Sequence, residues 1–460
     1  MKKTVMFLLA FFLAAGFPLA KQDSFTVSDT MDLLLEGLSA GDLRSYLSVR
    51  SDSVEFRSEL ITRHVNQSGE AVQANRISER RRFGPDGSLV EAFQEVSSPA
   101  GKNFWTLRRN SSGEWELTVN AGGTGSKRIV KSVNENCNST IQIYRGIFGS
   151  SIKPGDTWVD TAFELISGQH IHTRTTCRQV PSEKNGFRFV FDTRSSLYDR
   201  DEVWEVDKSG HTLLREVYPF VAKRKGESGK EYRTADLFEA LCIKKEKLET
   251  SERVVLVIDP DILHSSVKPF YTANGDRFTL LDLPRKCTGK EVAVSDSLKK
   301  YTVPTPTMQV THEKIVSHAN SLRGDAANSC ELVGRYNRYV FEKLDKKNTA
   351  TFSSALETLN AGFGDCGEHA VLLAALLRAS GIPARVVLGM VYVGRKSGYY
   401  YHAWVMAFTG EWVFADPAFG IFPAATERIP LIIDDTGESS VDIVKLIGRL
   451  KIEHVKGKQG

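Results

Sequence analysis

The stretch Gly362-Phe-Gly-Asp-Cys366-Gly-Glu-His-Ala370-Val-Leu-Leu-Ala-Ala-Leu-Leu377-Arg-Ala-Ser-Gly381-Ile-Pro383-Ala-Arg-Val-Val-Leu-Gly389 decides the reading of the chain. It predicts a helix from about Cys366 to Ser380, stopped by Gly381 and Pro383. Ala370 to Leu377 is an unbroken apolar run, and a helix that apolar lies buried at the centre of its domain. Its first residue is a cysteine. The unpaired N–H groups and the positive dipole end of a helix start favour a thiolate, the reactive form of the side chain. Asp365 and Glu368 oppose that effect, so a cation nearby is needed to complete it.

A histidine in hydrogen-bond reach would serve as counter-charge and as general base. His402 opens the apolar strand "HAWVMAF", and "EWVFADP" returns beside it with Asp416. Positions 402 and 416 are symmetric about residue 409. A three- or five-residue loop there sets His402 and Asp416 directly opposite one another on one face. A two-residue turn at Thr409-Gly410 separates them unless a bulge intervenes. The catalytic reading therefore requires an odd-length loop or a bulge. Asp416 would then fix one imidazole nitrogen and leave the other for Cys366. His369 is the rival base, but it shares the helix of Cys366 and has no facing carboxylate to orient it. Trp404 and Trp412 lie on the same hairpin, as shields for the imidazole or as core aromatics.

Upstream, "NSCELVGRYNRYVFEKL" puts Leu332, Val333, Tyr336, Val340 and Leu344 on one helical face, with Asn328 or Ser329 as cap. "FSSALETLNAGFG" carries a capping box, Ser354 with Glu357. Before these, "KKYTVPTPTMQVTHEK" has the Pro304 and Pro306 of an extended linker, placed at 296–311. The region 21–295 reads as β-rich and antiparallel, in one or two subdomains. Its runs "LVEAFQEV", "NFWTLRR", "WELTVN" and "FRFVFDT" alternate with "GPDG", "NSSG", "KNG" and "DKSG" turns. One exception is expected at its start, where "SDTMDLLLEGLSAGDLRSYL" (28–47) suggests one or two short helices. His170 and His172 form an H-x-H pair on one strand face with no third ligand nearby, and are read as ordinary strand residues. "DDTGESSVD" fits no calcium loop and reads as a solvated turn.

The chain has 460 residues, 41% of them hydrophobic and 25% charged, and a formal net charge of +4. This balance implies neither nucleic acid nor an anionic membrane as partner. Lys2 and Lys3 before "VMFLLAFFLAAGF" read as a secretory signal peptide over 1–20, with small residues Gly16 and Ala20 for cleavage. Localisation is thus expected to be exported, periplasmic or extracellular, with the membrane involved only if that segment is uncleaved. Six cysteines (Cys137, Cys177, Cys242, Cys287, Cys330, Cys366) show no zinc spacing; with Cys366 free, at most two disulfides can form.

"GDCGEHAVLLAALLRASGIPAR", "HAWV" and "WVFADP", together with "KKNTATFSSALETL" and "LIGRL", resemble the bacterial exported transglutaminase-like superfamily. The resemblance covers roughly 310 to 455. It implies an α+β chain whose β-rich N-terminal region is followed by a papain-like transglutaminase core, placed at 312–460. It also implies Cys366 as nucleophile, His402 as base and Asp416 as its orienting partner, with no metal or organic cofactor. The implied reaction is acyl transfer from a protein or peptide amide through a thioester, with cell-wall peptide suggested by compartment alone. Peptidase or amidase, cross-linking transglutaminase and non-catalytic envelope binding protein all occur on such a core. Two departures stand out. Met406 replaces an acidic residue that would sit at the cleft rim, and Ala418 replaces a threonine that would support Asp416.

Overall fold

The computed structural model describes residues 24–456 except 36, 66–70, 99–100, 122–123, 167, 197–200, 218, 227–233, 235–236, 246–251, 283–285, 288, 290–293, 348–352, 425–427 and 435–445. The signal-like segment 1–20 and all of "DDTGESSVD" after Asp434 lie outside the described residues.

The N-terminal region is one fourteen-stranded sheet in which every neighbouring pair is antiparallel. Eight strands meander from Phe25–Leu35 to Thr124–Val130, and six more run from Thr157–Phe163 to Phe220–Arg224. The two runs join where Met31 pairs with Arg224 and Leu34 with Val221. Between them the helix Asn138–Phe148 buries Ile141, Tyr144 and Ile147 in the same core as Leu43, Leu60, Leu107 and Phe191.

The helices expected within 28–47 do not form: Phe25–Leu35 and Leu38–Val49 are paired strands. Val27, Met31, Leu33 and Leu35 are buried at every second position or multiples of it, which is a strand period. The run Leu33-Leu34-Leu35 hides that period in the sequence. His170 and His172 sit on the strand His170–Gln179, one accepting from Asn134 N (3.3 Å) and the other bonded to Thr161 Oγ1 (2.9 Å).

Among the described residues after 312, the α-helices are α1 (Glu313–Arg323), α2 (Ser329–Lys343), α3 (Ala355–Ala361) and α4 (Cys366–Ala379). They precede β1 (Ala384–Val393), β2 (Gly398–Phe408), β3 (Trp412–Asp416), β4 (Ile421–Ala424) and β5 (Arg428–Asp434), which form a sheet in the order β4-β3-β2-β1-β5. Asn328 caps α2 by accepting from Glu331 N, and the Ser354–Glu357 capping box starts α3. Leu332, Val333, Tyr336, Val340 and Leu344 are all buried, as the periodicity of α2 requires. Helix α4 lies between the other three helices and β1–β2, with Leu372, Leu373, Leu376 and Leu377 at 0% exposure. At about 1.5–3 kcal/mol per buried leucine, this contact is a principal source of the domain's stability.

The stretch 296–311 is built into this unit. Met308 and Val310 enter the α1–α4 core, Thr307 O accepts from Ala355 N, and Gln309 Oε1 accepts from Leu356 N. It is not the extended linker expected: Asp296–Lys299 is a helical turn, Met308 N and Thr305 N exchange hydrogen bonds with each other's carbonyls, and the side chains after Pro306 anchor the stretch. The opposite face of the β1–β5 sheet packs on elements from both sides of residue 295: the strand Glu252–Val257 pairs with Lys451–Lys456, and Tyr271 donates to Pro430 O. Ile243–Lys244 adds a short strand at β2. The cysteines Cys287 and Cys330 form a disulfide, and Cys137, Cys177, Cys242 and Cys366 are free thiols.

Candidate active site

Helix α4 begins with a reciprocal capping box. Asp365 accepts from Gly367 N at 2.9 Å, and Glu368 accepts from Asp365 N at 3.0 Å and from Ser353 N at 3.3 Å. The two carboxylates that flank Cys366 are thus held by backbone donors. Gly364 makes this possible, since a Cβ there would lie 2.4 Å from the Glu368 Cβ. The N–H of Cys366, first residue of α4, is one of the four donors that a helix leaves without an intrahelical partner.

The β2–β3 hairpin supplies the rest. Its loop has three residues, Thr409 to Glu411, because Phe408 pairs with Trp412. The odd length satisfies the geometric requirement, but the turn centres one residue later than expected. Continuing the register puts Asp416 opposite Trp404, so His402 and Asp416 meet on one face as diagonal neighbours rather than as a direct pair. His402 Nε2 donates to Asp416 Oδ2 at 2.8 Å, and Cys366 lines the same cleft as the imidazole, close enough to favour its charged form. With Nε2 taken by Asp416, Nδ1 is the nitrogen left for the thiol. Both His402 and Asp416 are buried, while Cys366 is half-buried.

Arg428, at the head of β5, completes the site and was not singled out in the sequence. Its Nε (2.9 Å) and Nη2 (2.6 Å) both donate to Asp416 Oδ2. Asp416 Oδ1 accepts from the N–H groups of Ala418 and Phe419, each at 3.1 Å. Backbone donors and an arginine therefore hold the carboxylate, and the missing hydroxyl at Ala418 leaves it fully engaged. Burial raises the Asp416 pKa, but His402 and Arg428 outweigh it and bring it down from 3.8 to about 2. Burial likewise disfavours the His402 imidazolium. The charge and hydrogen bond of Asp416, with the nearby Cys366, overcome this and lift its pKa from 6.5 to about 10. The environment therefore favours an imidazolium paired with a carboxylate at neutral pH.

Aromatic rings clasp the imidazole from two sides. Trp404 stacks with its centroid 6.1 Å away, and Phe419 lies at 4.9 Å. Trp412 has a different role, packing on Tyr301 and Phe408. Gly389 faces His402 across the β1–β2 pair, where a Cβ would lie 2.1 Å from Ile429 O and 2.6 Å from Trp404. Only glycine lets β5 and Trp404 approach this closely. Met406 is 2% exposed in the core and does not line the cleft, so the departure there leaves the rim unchanged. His369 is fully buried and bonded through Nδ1 to Asp365 O at 2.7 Å, at the base of the same cleft. The cleft has a volume of about 220 Å³ and opens onto Cys366 and His402. Among the described residues no cluster of three or more metal-binding side chains is present.

Residues 316–417 match the family model of the transglutaminase-like superfamily. An uncharacterized protein of Mycobacterium leprae is 32% identical over 134 residues, 25% of this chain and 48% of that protein. The chain spans about half the length of this curated relative. Among solved structures, a candidate cysteine protease from Cytophaga hutchinsonii is 16% identical with a TM-score of 0.31, over 46% of this chain and 81% of that one. A candidate protease from Parabacteroides distasonis is 12% identical with a TM-score of 0.21, over 82% and 68%. TM-scores this low lend no weight to an assignment. The family model spans the start of α4 and the whole β2–β3 hairpin, the elements that bring Cys366, His402 and Asp416 together, and residues 316–417 are a transglutaminase-like domain.

Proposed function

We propose that the chain is a cysteine-dependent acyl-transfer enzyme on a papain-like core, with Cys366 as nucleophile, His402 as general base and acid, and Asp416 as its orienting carboxylate. The observation that carries the reading is the imidazole held by Asp416 at 2.8 Å in the same cleft as a half-buried thiol at a helix start. In this reading the thiol proton already resides on His402 at neutral pH, and the Cys366 thiolate attacks an amide carbonyl. The Cys366 N–H faces the developing oxyanion. The imidazolium then gives its proton to the departing ammonia or amine, leaving a thioester. Water or an amine resolves it. The open cleft favours water, so hydrolysis of a protein or peptide amide is the primary activity and aminolysis the secondary one.

The site is proposed to work outside the cytoplasm, in the periplasm or beyond it. The signal-like segment and the Cys287–Cys330 disulfide support that placement. Cell-wall peptide is one substrate class it would meet there.

The test is the alkylation of Cys366 by iodoacetamide at about pH 6, followed by mass spectrometry. The wild-type thiol is expected to react at least about 100-fold faster than in His402→Ala, the scale of a positioned acid–base group. Equal rates in the two proteins would remove the basis for catalysis.

A further inference from the structure

The rim of the cleft is strongly basic. Lys346 and Lys347, from the segment after α2, and Arg395 and Lys396, from the β1–β2 connection, all line it and are exposed. Asp365 is the carboxylate lining the cleft, and it is buried with Gly367 N on one oxygen. Lys396 is already paired, with Glu239 at 2.5 Å. Among the described residues, Lys346, Lys347 and Arg395 have no carboxylate within ion-pair distance.

These cations are held in place. Lys346 Nζ lies 3.8 Å from the Phe341 ring centroid, and Lys347 Nζ lies 4.4 Å from that of Phe363. Such contacts fix an ammonium without neutralising it. Lys347 N also donates to Gly364 O, two residues before the nucleophile. Lys346 senses Arg395: partial desolvation of its exposed side chain and that like charge lower its pKa against the pull of Asp416. Like charges converging on one groove are destabilising unless an anion enters between them.

We infer that the acyl donor is an acidic peptide, with at least one carboxylate beside the scissile amide seated between Lys346–Lys347 and Arg395. This deepens the proposed function and rests on it for the identity of the reacting amide. A neutral glutamine donor gains nothing from such a rim. An anionic one is drawn in and oriented, with a strong dependence on salt.

Two measurements on the full chain test it. The first is equilibrium binding to Cys366→Ala of two peptides that differ only in having glutamate or serine on either side of a central glutamine. The acidic peptide is expected to bind about tenfold more tightly at low salt, a gap of the size that a few half-exposed ion pairs supply. The gap should close in Lys346→Gln/Lys347→Gln/Arg395→Gln. Affinities within twofold of each other in Cys366→Ala, or a gap that the triple substitution leaves intact, would overturn the inference. The second is the ratio of Cys366 alkylation rates with iodoacetate and iodoacetamide, which the triple substitution is expected to lower at least about fivefold. His402 contributes equally to both proteins and cancels. An unchanged ratio also counts against the anionic subsite. A Cys366 that reacts with iodoacetamide no faster than free cysteine would sink the catalytic reading instead, while the binding pair still decides the preference for acid.

Discussion

Arg428→Met removes a buried cation and keeps an apolar side chain of similar length. In the wild type Asp416 Oδ2 takes two N–H groups of Arg428 and one of His402, and both Asp416 and Arg428 are at most 2% exposed. Breaking a buried pair by deleting one partner costs about 3–5 kcal/mol, because the remaining charge is left underpaired. The His402 bond survives, so the lower end, about 3 kcal/mol, is expected at pH 7. The sign with pH follows from Asp416. Its folded pKa is about 2 against an ordinary 3.8, so it stabilises the fold above 3.8 and loses that contribution as pH falls through 2. Without Arg428 the folded value rises, and the variant sheds the buried charge at a higher pH than the wild type does. The stability gap between the two proteins should therefore narrow between pH 7 and pH 4. Urea unfolding at the two pH values, read by the C-terminal transition, measures this. A loss under about 1 kcal/mol at pH 7, or a gap that does not change with pH, would refute the role assigned to Arg428.

Three further outcomes follow from the same geometry. Asp416→Asn removes the main support of the His402 imidazolium. The wild type should lose stability as pH rises from 6.5 through about 10, since a raised histidine pKa stabilises the fold below that window, and the variant's profile there should be flat. Gly389→Ala forces a methyl against Ile429 O and Trp404 and should cost about 3 kcal/mol in denaturant unfolding, with Cys366 alkylation reduced in parallel. Cys287→Ala/Cys330→Ala opens a cross-link spanning 43 residues, which the chain-entropy account values at about 4 kcal/mol; a fall in the thermal midpoint should match that produced by reductant on the wild type.

The parts of the site that could be read from the sequence are those set by neighbours in the chain. The start of α4 at Cys366, the Ser354–Glu357 box and the β2–β3 hairpin each depend on residues fewer than twenty positions apart, and each formed; the Asp365–Glu368 capping box was not anticipated. Arg428 depends on something the sequence does not display, the pairing of β5 with β1 through a bulge at Leu388–Gly389. Its signal was a lone arginine opening the apolar run Ile429-Pro-Leu-Ile-Ile433, a place where a charge stands only if paired. Phe419 was hidden for another reason. It is 39% exposed, and an exposed aromatic is read as surface until the imidazole beneath it is seen. The misread strands at 28–47 show the same limit: Leu34 breaks the alternation locally, and only pairing with Leu38–Val49 and Phe220–Arg224 fixes their state.

Asp416 has to satisfy two demands that conflict in an apolar interior. It must stay ionised to hold the imidazolium, and it must be dry so that its field on His402 is not screened. In the proposed reaction one cation cannot meet both demands, because the imidazole would move its proton and leave a carboxylate without its cationic partner. Arg428, which keeps its charge throughout, solves this. When His402 is neutral, Asp416 still has Arg428 and the Ala418 and Phe419 N–H groups. The site can thus pass between imidazole and imidazolium without a change in the ionisation of Asp416. In the proposed reaction that division of labour leaves the proton chemistry to His402 and Cys366, with an arginine from β5, outside the hairpin, at the centre of the site.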